Sequence, residues 1–204
     1  MALRVFGVIM QDGHGAPRVP AGLTLHPMRE IAAVAEETEF GMREVGEKEI
    51  ERHSEVVSAL FEQDAVLPTP VGTLFRSGDV LQRWMELHYV SLSDALAWVE
   101  GRQAARVHIT RAQARNGEQE AGSDLAAIAA EVTRSLRRHA VSTVPLRSEE
   151  VTGIVLTAAY LVEKELWSEF EDAVEGEREN HPLVKIELTG PWPPYDFVRL
   201  QFGS

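Results

Sequence analysis

An α+β fold of two small domains, each an antiparallel sheet packed by helices, is predicted by three features of the sequence. Segments of strand composition alternate, in both halves, with segments whose apolar residues recur every three or four positions. A polar stretch from Gln113 to Ser123, broken by Asn116-Gly117 and Gly122, separates the halves. No repeat of solenoid period and no heptad run occurs, which argues against arrays and filament-type coiled coils.

Taken in order, Leu3 to Met10 has strand composition, and Asp12-Gly13-His14-Gly15 with Pro17 and Pro20 reads as a loop before an extended segment near Ile31 to Ala35. From Glu47 the positions Ile50, His53, Val57, Leu60 and Phe61 mark an amphipathic helix that stops before Pro68. Ser77 and Asp79 can cap a second helix. Its expected buried stripe is Val80, Leu81, Trp84, Leu87, His88, Leu92, Ala95, Leu96 and Val99, and it stops at Gly101. Ala104 to Thr110 alternates like a strand. Beyond the polar stretch, Asp124 to His139 is helical by period and Ala140 to Leu146 is extended. Gly153 to Val162 is a buried strand, Glu163 to Gly176 a helix and Leu183 to Leu188 a last strand. The expected domains are 1–117 and 118–204. Strands that need a helical cover on at least one face suggest a ferredoxin-like second domain, with the first open to modification.

With 20 Lys plus Arg against 32 Asp plus Glu, the net charge of −12 opposes binding to a phosphate backbone. Nucleic acid is therefore not an expected partner. Charge is also uneven: Glu163 to Glu179 holds eight acids and two bases, whereas Arg102 to Arg138 holds seven bases and four acids. The longest apolar stretch, Ile154 to Val162, is far short of the roughly 20 residues of a spanning helix, so no membrane insertion is expected. The Val5 to Met10 run has neither the length nor the cleavage pattern of a signal peptide. The absence of cysteine excludes thiolate nucleophiles and disulfides, and the reading is a cytoplasmic protein.

The motifs of common reaction centres are missing. Gly72-Thr73-Leu74-Phe75-Arg76-Ser77-Gly78 lacks the Gly-Lys-Ser/Thr ending of a phosphate loop, and there is no GxGxxG, HExxH or GxSxG. The seven histidines, at 14, 26, 53, 88, 108, 139 and 181, are scattered rather than paired. His53 and His88 sit on apolar stripes, where a packed core histidine is the expectation. No catalytic residue, metal ligand or cofactor site is assigned.

The segment that calls for a specific structure is Gly190-Pro191-Trp192-Pro193-Pro194-Tyr195-Asp196-Phe197-Val198. Three prolines each fix φ and remove a donor, so the chain is expected to leave the strand after Leu188, turn, and hold its aromatic side chains in defined directions. Gly190 would supply the freedom of the turn, and a bond before Pro193 or Pro194 is a candidate for cis. Gly190, Pro191, Trp192, Pro193, Pro194, Tyr195 and Phe197 are the candidate partner-binding residues. The alternative is that the aromatics fold back to close the second half's core.

Together with Leu188-Thr189, this segment resembles the closing motif of the gas vesicle protein F and L family. The order of weaker motifs is similar too. Val5-Phe6-Gly7-Val8-Ile9 resembles the family's opening strand, and His53, Val56-Val57 and Leu60 lead into Val66-Leu67-Pro68 and Gly72-Thr73-Leu74-Phe75. Leu156-Thr157-Ala158-Ala159-Tyr160-Leu161-Val162 resembles the strand before the last helix. Two departures stand out. Thr69-Pro70-Val71 replaces the usual Leu-Arg-Phe, and the region from Asn116 to Leu125 is shortened. The resemblance implies a non-enzymatic accessory protein of gas vesicle formation, an assembly factor or a minor component of the vesicle shell, with the small hydrophobic shell protein and other accessory proteins as partners. It attaches no catalytic role to the His53 position. A ligand-sensing regulator built from ferredoxin-like domains is the alternative reading.

Overall fold

The computed structural model describes residues 1–11, 19–41, 45–112, 122–146 and 154–198. It contains two antiparallel sheets packed by helices, in two compact units. One comprises Met1–Gly101 with Pro193–Ser204, the other Arg102–Trp192.

In the first unit the strands β1 (Ala2–Met10), β2 (Thr24–Met28), β3 (Ile31–Thr38) and β4 (Val66–Pro68) lie in the order β2-β3-β1-β4, and β5 (Leu74–Phe75) also pairs with β1. Two helices, α1 (Glu47–Phe61) and α2 (Gly78–Val99), cover this sheet. α2 packs Leu81, Met85, Leu92 and Leu96 with Leu3, Val5, Ile31, Ala33 and Leu67. α1 packs Val56, Val57 and Leu60 with Phe6, Ile9, Ala32, Val34 and Val66. Neighbouring strand residues such as Ala32 and Ala33 thus enter different cores, which is why β1 and β3 read as continuous apolar runs without alternation. A register shift between Val5 and Gly7 lets β1 keep its contacts on both faces. Gly7 is required by close approach, since a Cβ there would meet Leu67 O and Val66 Cγ2, each at 2.9 Å. Thr69, one of the departures noted above, is fully buried. It is satisfied by β1, with its Oγ1 donating to Val5 O at 2.6 Å and its amide to Phe6 O at 3.0 Å.

The second unit contains β6 (Arg102–Arg111), α3 (Gly122–Leu136), β7 (Ser142–Leu146), β8 (Ile154–Glu163), α4 (Trp167–Asn180) and β9 (Val184–Trp192), in the sheet order β7-β8-β6-β9. A β-α-β-β-α-β chain with its first and third strands at the centre is the ferredoxin-like arrangement. Both helices contribute to one core, where Val132 and Leu136 of α3 and Phe170 and Val174 of α4 meet Val107, Ile109, Tyr160 and Ile186 of the sheet.

Several expectations are corrected. The division falls at Gly101/Arg102 and not near residue 117, which itself lies outside the described residues. The reason is pairing: β6 bonds to β8 and β9 along its length and supplies the first strand of the ferredoxin-like unit. Strands β2, β4 and β5 escape periodicity because β4 and β5 are very short and β2 is a partly exposed edge containing Pro27. β2 turns into β3 through Arg29-Glu30, with Arg29 at φ 53 and none of the usual glycine or asparagine signals. On α2, Val80 and Leu87 are exposed and do not join the buried stripe, because at about 100° per residue they point well away from Met85 and Leu96.

Candidate functional site

The proline segment begins as strand and ends as turn. β9 continues through Gly190 and Pro191 to Trp192, past the expected exit at Leu188, with Ala104 opposite Trp192 and a register shift before Arg106. Proline is tolerated there because β9 is an edge strand and loses no inner ladder bond. The cis bond is Gly190–Pro191; the bonds before Pro193 and Pro194 are not cis.

Gly190 cannot be replaced by another residue without a shift. Its φ is 133, and a Cβ would lie 2.8 Å from Ala104 O and 3.0 Å from Trp167 Cη2. These neighbours come from β6 and the start of α4, so nothing in the local sequence announces them. Trp192 is 44% exposed, and its Nε1 donates to Thr189 Oγ1 at 3.2 Å, which fixes the indole along the strand it terminates. The ring is thus both displayed and oriented.

Pro193 and Pro194 are buried, and a single 3-10 turn over Tyr195–Phe197 follows, closed by Tyr195 N to Pro193 O at 2.8 Å and Phe197 N to Pro194 O at 3.0 Å. Half-buried Tyr195 packs against the α1-side core of the first unit, its ring 6.4 Å from that of His53. Phe197 is half-buried as well. The segment therefore does two things: Tyr195 closes a core, though that of the first unit and not the second, while Trp192 stands out.

His53 is only 2% exposed and lies 5.5 Å from the Phe6 ring. Neither ring nitrogen has a hydrogen-bond partner of ordinary geometry. Burial pushes its pKa down, the Thr69 backbone opposes this, and the Arg4 charge adds to it. Burial thus favours the neutral imidazole, packed among apolar side chains. Arg4 bridges Glu36 at 3.0 Å and Glu49 at 2.8 Å on the same side of the sheet. His88 stacks against Trp84 at 5.1 Å.

Among the described residues no three His, Asp or Glu side chains gather as a metal site requires. Most of the acidic stretch is the outward face of α4, which buries Phe170 and Val174; exposed Glu175 pairs with Arg178 at 2.7 Å, whereas Glu177 is largely covered and lies 3.3 Å from His181. In the second unit Arg138, His139, Glu163 and Glu169 line an open depression of about 240 Å³. It falls below the roughly 300–1,000 Å³ of ordinary small-molecule sites. No helix among the described residues is long and apolar enough to cross a membrane.

The geometry defines a two-unit α+β protein whose distinctive feature is a displayed aromatic on a rigid edge. The model of the family described as gas vesicle synthesis protein GvpL/GvpF matches residues 3–121 and 109–199, and the chain belongs to that family. It is a gas vesicle accessory protein. Gas vesicle protein F2 of Halobacterium salinarum is 27% identical to it over 180 residues, which cover 86% of this chain and 80% of that protein. The crystal structure of gas vesicle protein GvpF from an Anabaena species superposes with a TM-score of 0.79 at 14% identity, covering 98% of this chain and 97% of that one. That of GvpF from Microcystis aeruginosa gives 0.75 at 15%, covering 98% and 99%. At these identities the two crystal structures bear on the fold alone.

Proposed function

We propose that this protein serves gas vesicle assembly by docking, without a reaction centre of its own, and that its partner is the small hydrophobic shell protein or another accessory gas vesicle protein. The observation that carries this reading is Trp192, exposed yet held by the Thr189 hydrogen bond on a strand end that Gly190 and the prolines make rigid. A large amphipathic ring ordered in advance loses little entropy on binding, which is how interface anchors gain their affinity. The acidic outer face of α4 keeps such a carrier in solution while an apolar client is covered. On this reading Gly190, Pro191, Pro193, Pro194, Tyr195 and Phe197 set the anchor's direction, and the protein works in the cytoplasm and on the growing gas vesicle.

The test is co-expression of the tagged chain with the shell protein. The wild type should co-purify with the shell protein and keep it soluble, and Trp192→Ala should cut the captured amount about tenfold or more with an unchanged circular dichroism spectrum. Equal capture by Trp192→Ala would remove the anchor from the account, and absence of capture by the wild type would reject this partner.

A further inference from the structure

The outward face of α2 carries four large exposed apolar side chains among its polar ones. Val80 is 44% exposed, Leu87 80%, Val90 68% and Trp98 43%, and all four belong to the helix whose opposite side is already buried in the core. At 3.6 residues per turn they fall, with Arg83 and Asp94 between them, inside an arc of about 80°. They form a stripe about 27 Å long, with Leu87 and Val90 at its centre. Scattered exposed apolar residues need no explanation, but four large ones aligned on one helix face, two of them more than two-thirds exposed, suit an interaction surface.

The order of residues along the stripe says what fits it. A twofold axis crossing α2 between His88 and Tyr89 sets Leu87 opposite Val90 of a second copy and Arg83 opposite Asp94, with Val80 one residue out of register from Trp98 and within its reach. Each contact then occurs twice, as an isologous interface requires. Arg83 and Asp94 are both exposed, so antiparallel pairing brings two opposite-charge pairs together without taking a buried charge from its place. A parallel arrangement would instead set Arg83 beside Arg83 and Asp94 beside Asp94. We propose that the occupant of this face is a second copy of this chain, docked antiparallel through α2. One helix pair of this length buries less than the roughly 1,200 Å² at the low end of standard interfaces, so the dimer is weak and concentration-dependent.

Sedimentation equilibrium of the full chain from about 1 to 100 μM tests this. The expected result is a mass rising from 22.7 kDa toward twice that value. Leu87→Glu should weaken association at least tenfold while leaving the melting temperature within about 2 °C. Arg83→Asp and Asp94→Arg, both at exposed positions, should each weaken it several-fold through like-charge contact. The two combined should restore it, because the pairs re-form with their signs exchanged. A single mass at every concentration would overturn the proposal, as would a dimer indifferent to Leu87→Glu or a double charge reversal no tighter than the single ones. So would a monomer whose α2 face is protected from hydrogen exchange only when shell protein is added.

Discussion

Gly190 shows how a single backbone position fixes the path of the segment that carries Trp192. A left-side φ of 133 and a Cβ site already occupied by Ala104 O leave no room for a side chain. Gly190→Ala should destabilise the second unit by about 1–3 kcal/mol and disturb the Trp192 indole, measured by urea unfolding followed through tryptophan fluorescence. His53 works at the same scale through its protonation. Its pKa is lowered in the folded chain, so below the ordinary histidine value near 6.5 the unfolded chain takes up a proton that the folded chain refuses. Half-buried His26, lowered first by burial and opposed by Glu37, has the same sign. Stability should therefore be level with respect to these groups above about pH 7.5 and fall as the pH drops through 6.5 toward 5. His53→Leu should flatten that fall; an unchanged slope would mean the imidazole is not held neutral. The lowered pKa follows from tight enclosure beside Phe6, which the stripe position of His53 made legible, whereas the lack of a hydrogen bond was not.

At the scale of elements, strong periodicity was legible and short pairing was not. Both helices of the first unit, and the Ser77 cap, stand where their apolar spacing and polar starts place them, with Val80 N donating to Ser77 Oγ at 3.4 Å. That long bond implies a modest cap, so Ser77→Ala should lower the stability of the first unit by about 0.5–1 kcal/mol, measurable as a shift of its urea midpoint. By contrast, β4 and β5 owe their existence to β1, which they meet from far along the chain. No local pattern of two or three residues could show that. The same reasoning covers β9, whose edge position permits Pro191 where a central strand would forbid it. On α2 periodicity misleads in the other direction: Leu87 has the helical spacing of a buried residue and yet faces water.

For the whole molecule, the α+β class, the ferredoxin-like unit and the family were all legible, the last from the order of motifs ending in the proline segment. The division of the chain was not, because strand composition in β6 does not say which sheet it joins; only its pairing with β8 and β9 does. The proline segment stood out in the sequence, but the placement of its side chains did not, since Trp192 outward and Tyr195 inward depend on Thr189, His53 and a core built from distant strands. The proposed role of the chain in gas vesicle formation is to present a rigid surface to other proteins. The most direct measurement is gas vesicle yield, read by pressure-sensitive light scattering, in cells whose copy of this gene is deleted and then restored as wild type or Trp192→Ala. The account predicts loss of vesicles on deletion, full recovery with the wild type and poor recovery with Trp192→Ala at equal protein level; an undiminished yield in the deletion strain would contradict it.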